Sequence, residues 1–95
     1  MEKITGNFRM GRKSGLHLRP AQQLMDLAMG FKSSIVLRRA DRSADAKCIF
    51  DLITLGAAHG SVIEVQAEGE DAEEALKALG QFLERAEEPE PAGEP

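Results

Sequence analysis

Apolar residues along this chain recur first at a spacing of two, then at three to four, and each change of period marks a new element. Ile4, Phe8 and Met10 share one face of a first strand, with Gly6 between them as a bulge or a point of close backbone approach. Between Pro20 and Met29, Ala21, Leu24, Leu27 and Ala28 fall at helical spacing, and Gly30 follows as a left-handed stop. Ile35 and Leu37 face alike in a second strand. Residues 39–42 read as a turn into a short third strand in which Ala44 and Ala46 face alike. Ile49, Leu52 and Ile53 predict a short second helix stopped at Gly56. Ile63, Val65 and Ala67 then alternate with Val62, Glu64 and Gln66 in a fourth strand.

The closing helix carries the strongest pattern. Asp71 can cap it, Glu74 stands three residues on as in a capping box, and Ala72, Ala75, Leu76, Leu79, Phe82 and Leu83 form one apolar stripe. The order strand-helix-strand-strand-helix-strand-helix predicts a two-layer α+β domain, an open-faced sandwich with its helices on one face of the sheet.

Length and composition narrow the class. Ninety-five residues make one small domain with a single core. The expected domain spans 1–86. Residues 87–95, Glu-Glu-Pro-Glu-Pro-Ala-Gly-Glu-Pro, are too polar and proline-rich to fold, and are expected to form a disordered acidic tail. Neither a signal-peptide pattern nor a run near the ~20 apolar residues of a membrane helix occurs, so a cytoplasmic protein without membrane insertion is expected. The single cysteine excludes an internal disulfide and a multi-cysteine metal site.

Charge is unevenly placed. Residues 1–47 hold ten Lys and Arg against four Asp and Glu, and residues 48–95 hold two against twelve, so the net −4 conceals a basic front half and an acidic back half. An acidic partner surface would be steered toward the front. Nucleic acid is the competing partner for a basic cluster. The net negative charge, and the placement of Phe8 and Phe31 at core rather than stacking positions, argue against it.

The candidate chemistry lies in Ser14-Gly15-Leu16-His17-Leu18-Arg19-Pro20-Ala21, where an imidazole and a guanidinium stand two residues apart at a helix start. Unpaired amides and the helix dipole favour an anion there. Arg19 adds a planar cation able to grip phosphate oxygens in pairs, and a neutral imidazole carries a nucleophilic ring nitrogen. Ser14 fits a local turn bond better than a phosphate contact. Spacing alone leaves a capping or surface role for His17 open. His59, in an apparent turn without an Arg or Pro partner, reads as structural.

The chain resembles the histidine-containing phosphocarrier family, HPr, of the bacterial phosphoenolpyruvate-dependent sugar phosphotransferase system, over residues 4–84. The matching segments are Gly15-Leu16-His17-Leu18-Arg19-Pro20-Ala21, like the family's active-site signature; Gly30-Phe31, closing the first helix; residues 44–56, where the family carries a regulatory serine; and Val65-Gln66-Ala67-Glu68-Gly69-Glu70-Asp71-Ala72, the last strand and helix entry. This resemblance implies an antiparallel sheet in strand order 1-4-2-3. It also implies a relay in which enzyme I phosphorylates His17 on Nδ1 and His17 passes the group to a histidine of an enzyme IIA domain, with Arg19 and amides near residues 18–22 neutralising the phosphoryl oxygens. The protein would then be a monomeric carrier rather than an enzyme, with no cofactor or metal.

Three positions depart from the family pattern. Leu18 replaces a small or hydroxyl residue between the His and the Arg, which alters packing beside the imidazole but leaves its reactivity. Cys48 stands where many members have the regulatory serine, which argues against serine-type regulation; it reads as a small residue at a helix start rather than a redox site. Asp26, Met29 and Asp51 occupy places where well-known members carry docking lysines, so partner surfaces should be adapted to this chain. Leu18, Met25, Met29, Ile49 and Phe50 are the candidates for the apolar part of the docking surface, and some of the last four must be core.

Two other readings are retained. One is a regulatory module whose His17 phosphorylation state controls a metabolic or transcriptional partner without sugar transport. The other is an autonomous phosphoryl-transfer enzyme, disfavoured by the lack of a Gly-Lys-Ser/Thr loop, a second catalytic His and a metal-ligand cluster.

Overall fold

The computed structural model describes residues 2–85; the expected tail at 87–95, and the end of the expected domain at 86, lie outside the described residues. The elements are β1 (Lys3–Arg9), α1 (Leu18–Met29), β2 (Ser34–Arg39), β3 (Arg42–Asp45), α2 (Ile49–Thr54), β4 (Val62–Glu68) and α3 (Ala72–Glu84). Four antiparallel strands pair in the order β1-β4-β2-β3. Side chains alternate across a strand, so Ile35 and Leu37 of the central β2 and Ile63, Val65 and Ala67 of the central β4 all turn to one face and are buried. Ala21, Leu24 and Ala28 of α1, Leu52 of α2, and Ala75, Leu79 and Leu83 of α3 close over that face and complete the core. No helix among the described residues is long and apolar enough to cross a membrane.

Helix α3 lies close against β1 because of what is missing at residue 80. A Cβ added to Gly80 would fall inside the ring of Phe8, so the glycine is the slot that admits the aromatic side chain. Gly6 serves the same contact, with the Phe8 ring 3.1 Å from where its Cβ would stand. Of the two roles open to Gly6, a bulge or a close approach, it is the close approach that occurs: β1 pairs with β4 in continuous register from Lys3 opposite Glu68 to Arg9 opposite Val62.

Two expectations about helix ends are corrected. Gly30 is not a left-handed stop; it sits at φ −76°, and its amide donates to Leu27 O at 3.1 Å in a tightened last turn. Asp71 occupies the N-cap of α3 but makes no side-chain cap bond, and no capping box forms. Its carboxylate is engaged across the fold instead. It accepts the amides of Lys32 at 2.8 Å and Ser33 at 2.9 Å and the Ser33 hydroxyl. Ser33 is buried, so the bridge ties the α1–β2 loop to the head of α3 and satisfies a polar group in the interior. These donors, the Ser33 hydroxyl foremost and then the Lys32 amide, hold the Asp71 carboxyl below the usual carboxylate range.

Much of the basic front half is structural. Arg39 Nε donates to Leu55 O at 2.9 Å and Arg42 Nη1 to Thr54 O at 3.0 Å, so the β2–β3 hairpin supplies cations to the carbonyl end of α2. Lys47 Nζ does the same for the carbonyl of Phe31, just past α1, at 2.8 Å. The charge asymmetry of the sequence therefore overstates the basic surface left for partners.

Candidate functional site

A turn over residues 12–15, closed by the Gly15 amide donating to Arg12 O at 3.1 Å, delivers the chain to α1. Gly15 takes φ +71°, and a Cβ there would stand 2.5 Å from Ala57 O. Both the left-handed backbone and the close approach require glycine. The next amide, of Leu16, donates to the same Ala57 carbonyl at 2.9 Å, and the Leu16 side chain is buried. Residue 16 is thereby fixed to the α2–β4 loop, and residue 17 emerges at the surface.

His17 is the N-cap residue of α1, in extended backbone at φ −87° and ψ −171°, and its carbonyl accepts the first helical bond from Ala21 at 2.9 Å. Its side chain makes no cap bond and is exposed. The capping alternative that spacing left open is thus not what this histidine does. The imidazole stands at the positive end of the helix, beside first-turn amides that have no intrahelical acceptors. Arg19 is exposed two residues further into the same turn, Pro20 is buried next to it in sequence, and the first turn contains no acidic residue. Lys13 and Ser14 are exposed on the turn before it. The unpaired amides at this helix end favour an anion.

Beneath the turn lies a residue the sequence pattern did not single out. Arg12 is 7 % exposed, its guanidinium sits 4.4 Å from the centroid of the Phe82 ring, and its Nε is buried without a hydrogen-bond partner. Gly11, beside it, donates its amide to Leu83 O at 2.9 Å. The root of the turn that precedes His17 is therefore fastened to the last turn of α3. A charged residue in a loop gives no periodic signal, and only the packing against Phe82 identifies it.

The apolar docking candidates separate by exposure. Leu18 at 61 %, Met29 at 62 % and Phe50 at 76 % stand out from the surface, whereas Met25 and Ile49 are half-buried and pack against the core. Ile53 is also exposed, at 39 %, and was read from the sequence only as a helix-forming position. Leu18, Met25 and Met29 fall at i, i+7 and i+11, on one stripe of α1, and α1 packs against α2. Large exposed apolar side chains on neighbouring helices form a surface suited to a partner.

The remaining candidates fall outside this cluster or serve other ends. Cys48 is the N-cap residue of α2, half-buried, with no side-chain cap bond. Asp51 accepts the Asp45 amide at 3.1 Å and so holds the end of β3 to α2. Asp26 is exposed on α1. His59 is exposed in the turn that leads to β4, where the Ala58 amide donates to Ser61 Oγ at 3.1 Å. Among the described residues, no group of three or more His, Cys, Asp or Glu is placed to hold a metal ion.

Comparison with known proteins agrees with this geometry. Residues 4–85 match the family model PTS-HPr, described as the PTS HPr component phosphorylation site. The phosphocarrier protein HPr of Vibrio cholerae is 42% identical over 67 residues, covering 70% of this chain and 79% of that protein. The crystal structure of the phosphocarrier protein HPr from Bacillus anthracis superposes with a TM-score of 0.84 at 31% identity, covering 87% of this chain and 99% of that one. The solution structure of Crh, the catabolite repression HPr of Bacillus subtilis, aligns with a TM-score of 0.70 at 30% identity over 86% of this chain and 95% of that one.

Proposed function

The chain belongs to the PTS-HPr family, and from that premise we propose that it is a cytoplasmic phosphocarrier in which His17 takes a phosphoryl group from phospho-enzyme I and yields it to a histidine of an enzyme IIA domain. The observation that carries this reading is the exposed His17 imidazole, which occupies the N-cap of α1 without being used as a cap. The carrier domain comprises residues 1–86.

Each transfer is an in-line displacement at phosphorus. A ring nitrogen of His17 attacks with its lone pair as the bond between phosphorus and the donor imidazole breaks; the donor ring takes a proton on its other nitrogen and so leaves neutral, and the His17 ring releases its N–H proton to solvent. Onward transfer reverses the roles, with His17 as the leaving group. The three phosphoryl oxygens need charge neutralisation in both directions, and Arg19 with the first-turn amides of α1 is placed to supply it. Because donor and acceptor share one chemistry, the carrier emerges unchanged and acts stoichiometrically. Leu18, Met29, Phe50 and Ile53 form the apolar docking surface, with Met25 and Ile49 supporting it from beneath.

The test is a reconstituted relay. Phosphoenolpyruvate and enzyme I should load one phosphoryl group, and an added IIA domain should remove it; failure to load with several active enzyme I preparations contradicts the proposal. The likeness to Crh, described as a catabolite repression HPr, supports a second reading in which the phosphorylation state of His17 regulates a partner without transport. The gene's neighbours discriminate, since sugar permease genes beside it favour transport and their absence favours regulation.

A further inference from the structure

Arg39 is the last residue of β2, a central strand of the sheet, and its side chain is half-buried. Its Nε donates to Leu55 O at 2.9 Å, and a Cβ on Gly56 would stand 3.0 Å from its Nη2. The guanidinium therefore lies along the backbone where α2 gives way to the loop before β4. Carbonyls at a helix end have no intrahelical donors, and a planar guanidinium can bond one of them while lying against the next residue. Gly56 takes φ +72° there, between buried Leu55 and buried Ala57.

The carbonyl two residues after Leu55 is the seat of the turn before His17. Ala57 O accepts the Leu16 amide at 2.9 Å and lies 2.5 Å from the place of a Gly15 Cβ. The contacts run in series. The end of β2, through Arg39, holds residues 55–56; Ala57 follows them in the chain and holds Gly15 and Leu16; His17 comes next. Arg42 supplies a second cation to the end of α2, but it is exposed and bonds one residue earlier, from Nη1 to Thr54 O at 3.0 Å.

We propose that Arg39 is a positioning residue for His17: by clamping Leu55 and Gly56 it fixes the Ala57 carbonyl, and with it the point at which the imidazole emerges beside the first-turn amides of α1. Arg39 acts through the backbone rather than on the transferred group. An in-line displacement demands close alignment, so a small shift of the nucleophile slows transfer even where docking is intact. The effect on transfer rests on the phosphocarrier reading, but the seating of the turn does not.

Two measurements on the full chain separate these. Arg39→Met keeps the aliphatic stem and removes the fork, Arg39→Lys keeps only the charge, and Arg42→Met removes the neighbouring cation. In amide hydrogen exchange, Leu16 should exchange about tenfold faster in Arg39→Met while Val65 of β4 stays within about twofold of the wild type. Arg42→Met should leave Leu16 unchanged. Unchanged Leu16 exchange in both Arg39 variants, an equal rise at Val65, or an equal rise in Arg42→Met overturns the seating whatever the function. In single-turnover transfer from phospho-enzyme I, Arg39→Met should lower the saturating rate about tenfold and leave the half-saturating concentration unchanged. A raised half-saturating concentration at an unchanged saturating rate overturns the positioning role. Should Arg39→Met not fold, Arg39→Lys carries both measurements, with effects of about threefold. Faster Leu16 exchange in the variants, with a wild type that never loads, would contradict the carrier reading alone.

Discussion

Gly15 and Ala57 meet at a backbone-to-backbone contact in which the glycine, at φ +71°, leaves only the space that its missing Cβ would fill, 2.5 Å from the Ala57 carbonyl oxygen. That contact seats the turn before His17 on the α2–β4 loop. Gly15→Ala should therefore lower stability in urea unfolding by more than the about 1–2 kcal/mol of a left-handed alanine. Gly60→Ala is the control: φ is +83°, but nothing lies within 4 Å of its Cβ position, so only the backbone strain is expected. Equal losses at the two positions would show that the close approach to Ala57 does not matter.

Gly80 sets the spacing between α3 and β1 through the Phe8 ring. Gly80→Ala gains about 1 kcal/mol of helix propensity but drives a methyl into the ring, and overpacking of that kind costs about 1–3 kcal/mol. Net destabilisation is expected, and Phe8→Leu in the same chain should recover part of it. A strictly additive double mutant would contradict the contact.

The Asp71 bridge predicts a pH dependence with a definite sign. Its folded carboxyl titrates below its unfolded value, so the bridge stabilises the fold above that unfolded value and the contribution disappears as pH falls through the folded one. Asp71→Asn should melt lower than the wild type at pH 7, and the two should converge in acid once the folded carboxyl of the wild type is protonated. A difference independent of pH would mean that the charge on Asp71 is irrelevant.

Phe50 and Leu18 test the docking surface. Both are largely exposed, so Phe50→Ser and Leu18→Ser should change stability by no more than about 0.5 kcal/mol. Affinity for enzyme I, measured by titration calorimetry, should fall several-fold for each. Unchanged affinity in both variants would remove the apolar patch from the account.

The strands and α3 were legible because their apolar residues keep one period and become core: Ile35 with Leu37, and Ile63 with Val65, turn inward as alternation requires. The exposed placement of His17 and Arg19 at the start of α1 was legible because local sequence, Gly15 before and Pro20 after, builds that helix start. Contacts between distant segments were not. Asp71 looked like a cap because the cap position is local, whereas its Ser33 partner lies 38 residues away. Arg12 and Gly80 likewise take their meaning from Phe82 and Phe8. The division of Met25, Met29, Ile49 and Phe50 between core and surface depends on how α1 meets α2, which no single-helix pattern contains.

The central claim is that one imidazole carries the transferable group. The direct measurement is intact mass after incubation with phosphoenolpyruvate and enzyme I, followed by brief acid treatment, on the wild type, His17→Ala and Arg19→Ala. The wild type should gain a single phosphoryl group that acid removes, His17→Ala none, and Arg19→Ala one that arrives and departs more slowly on a folded chain. A phosphoryl group retained by His17→Ala, or one on the wild type that survives acid, would contradict it.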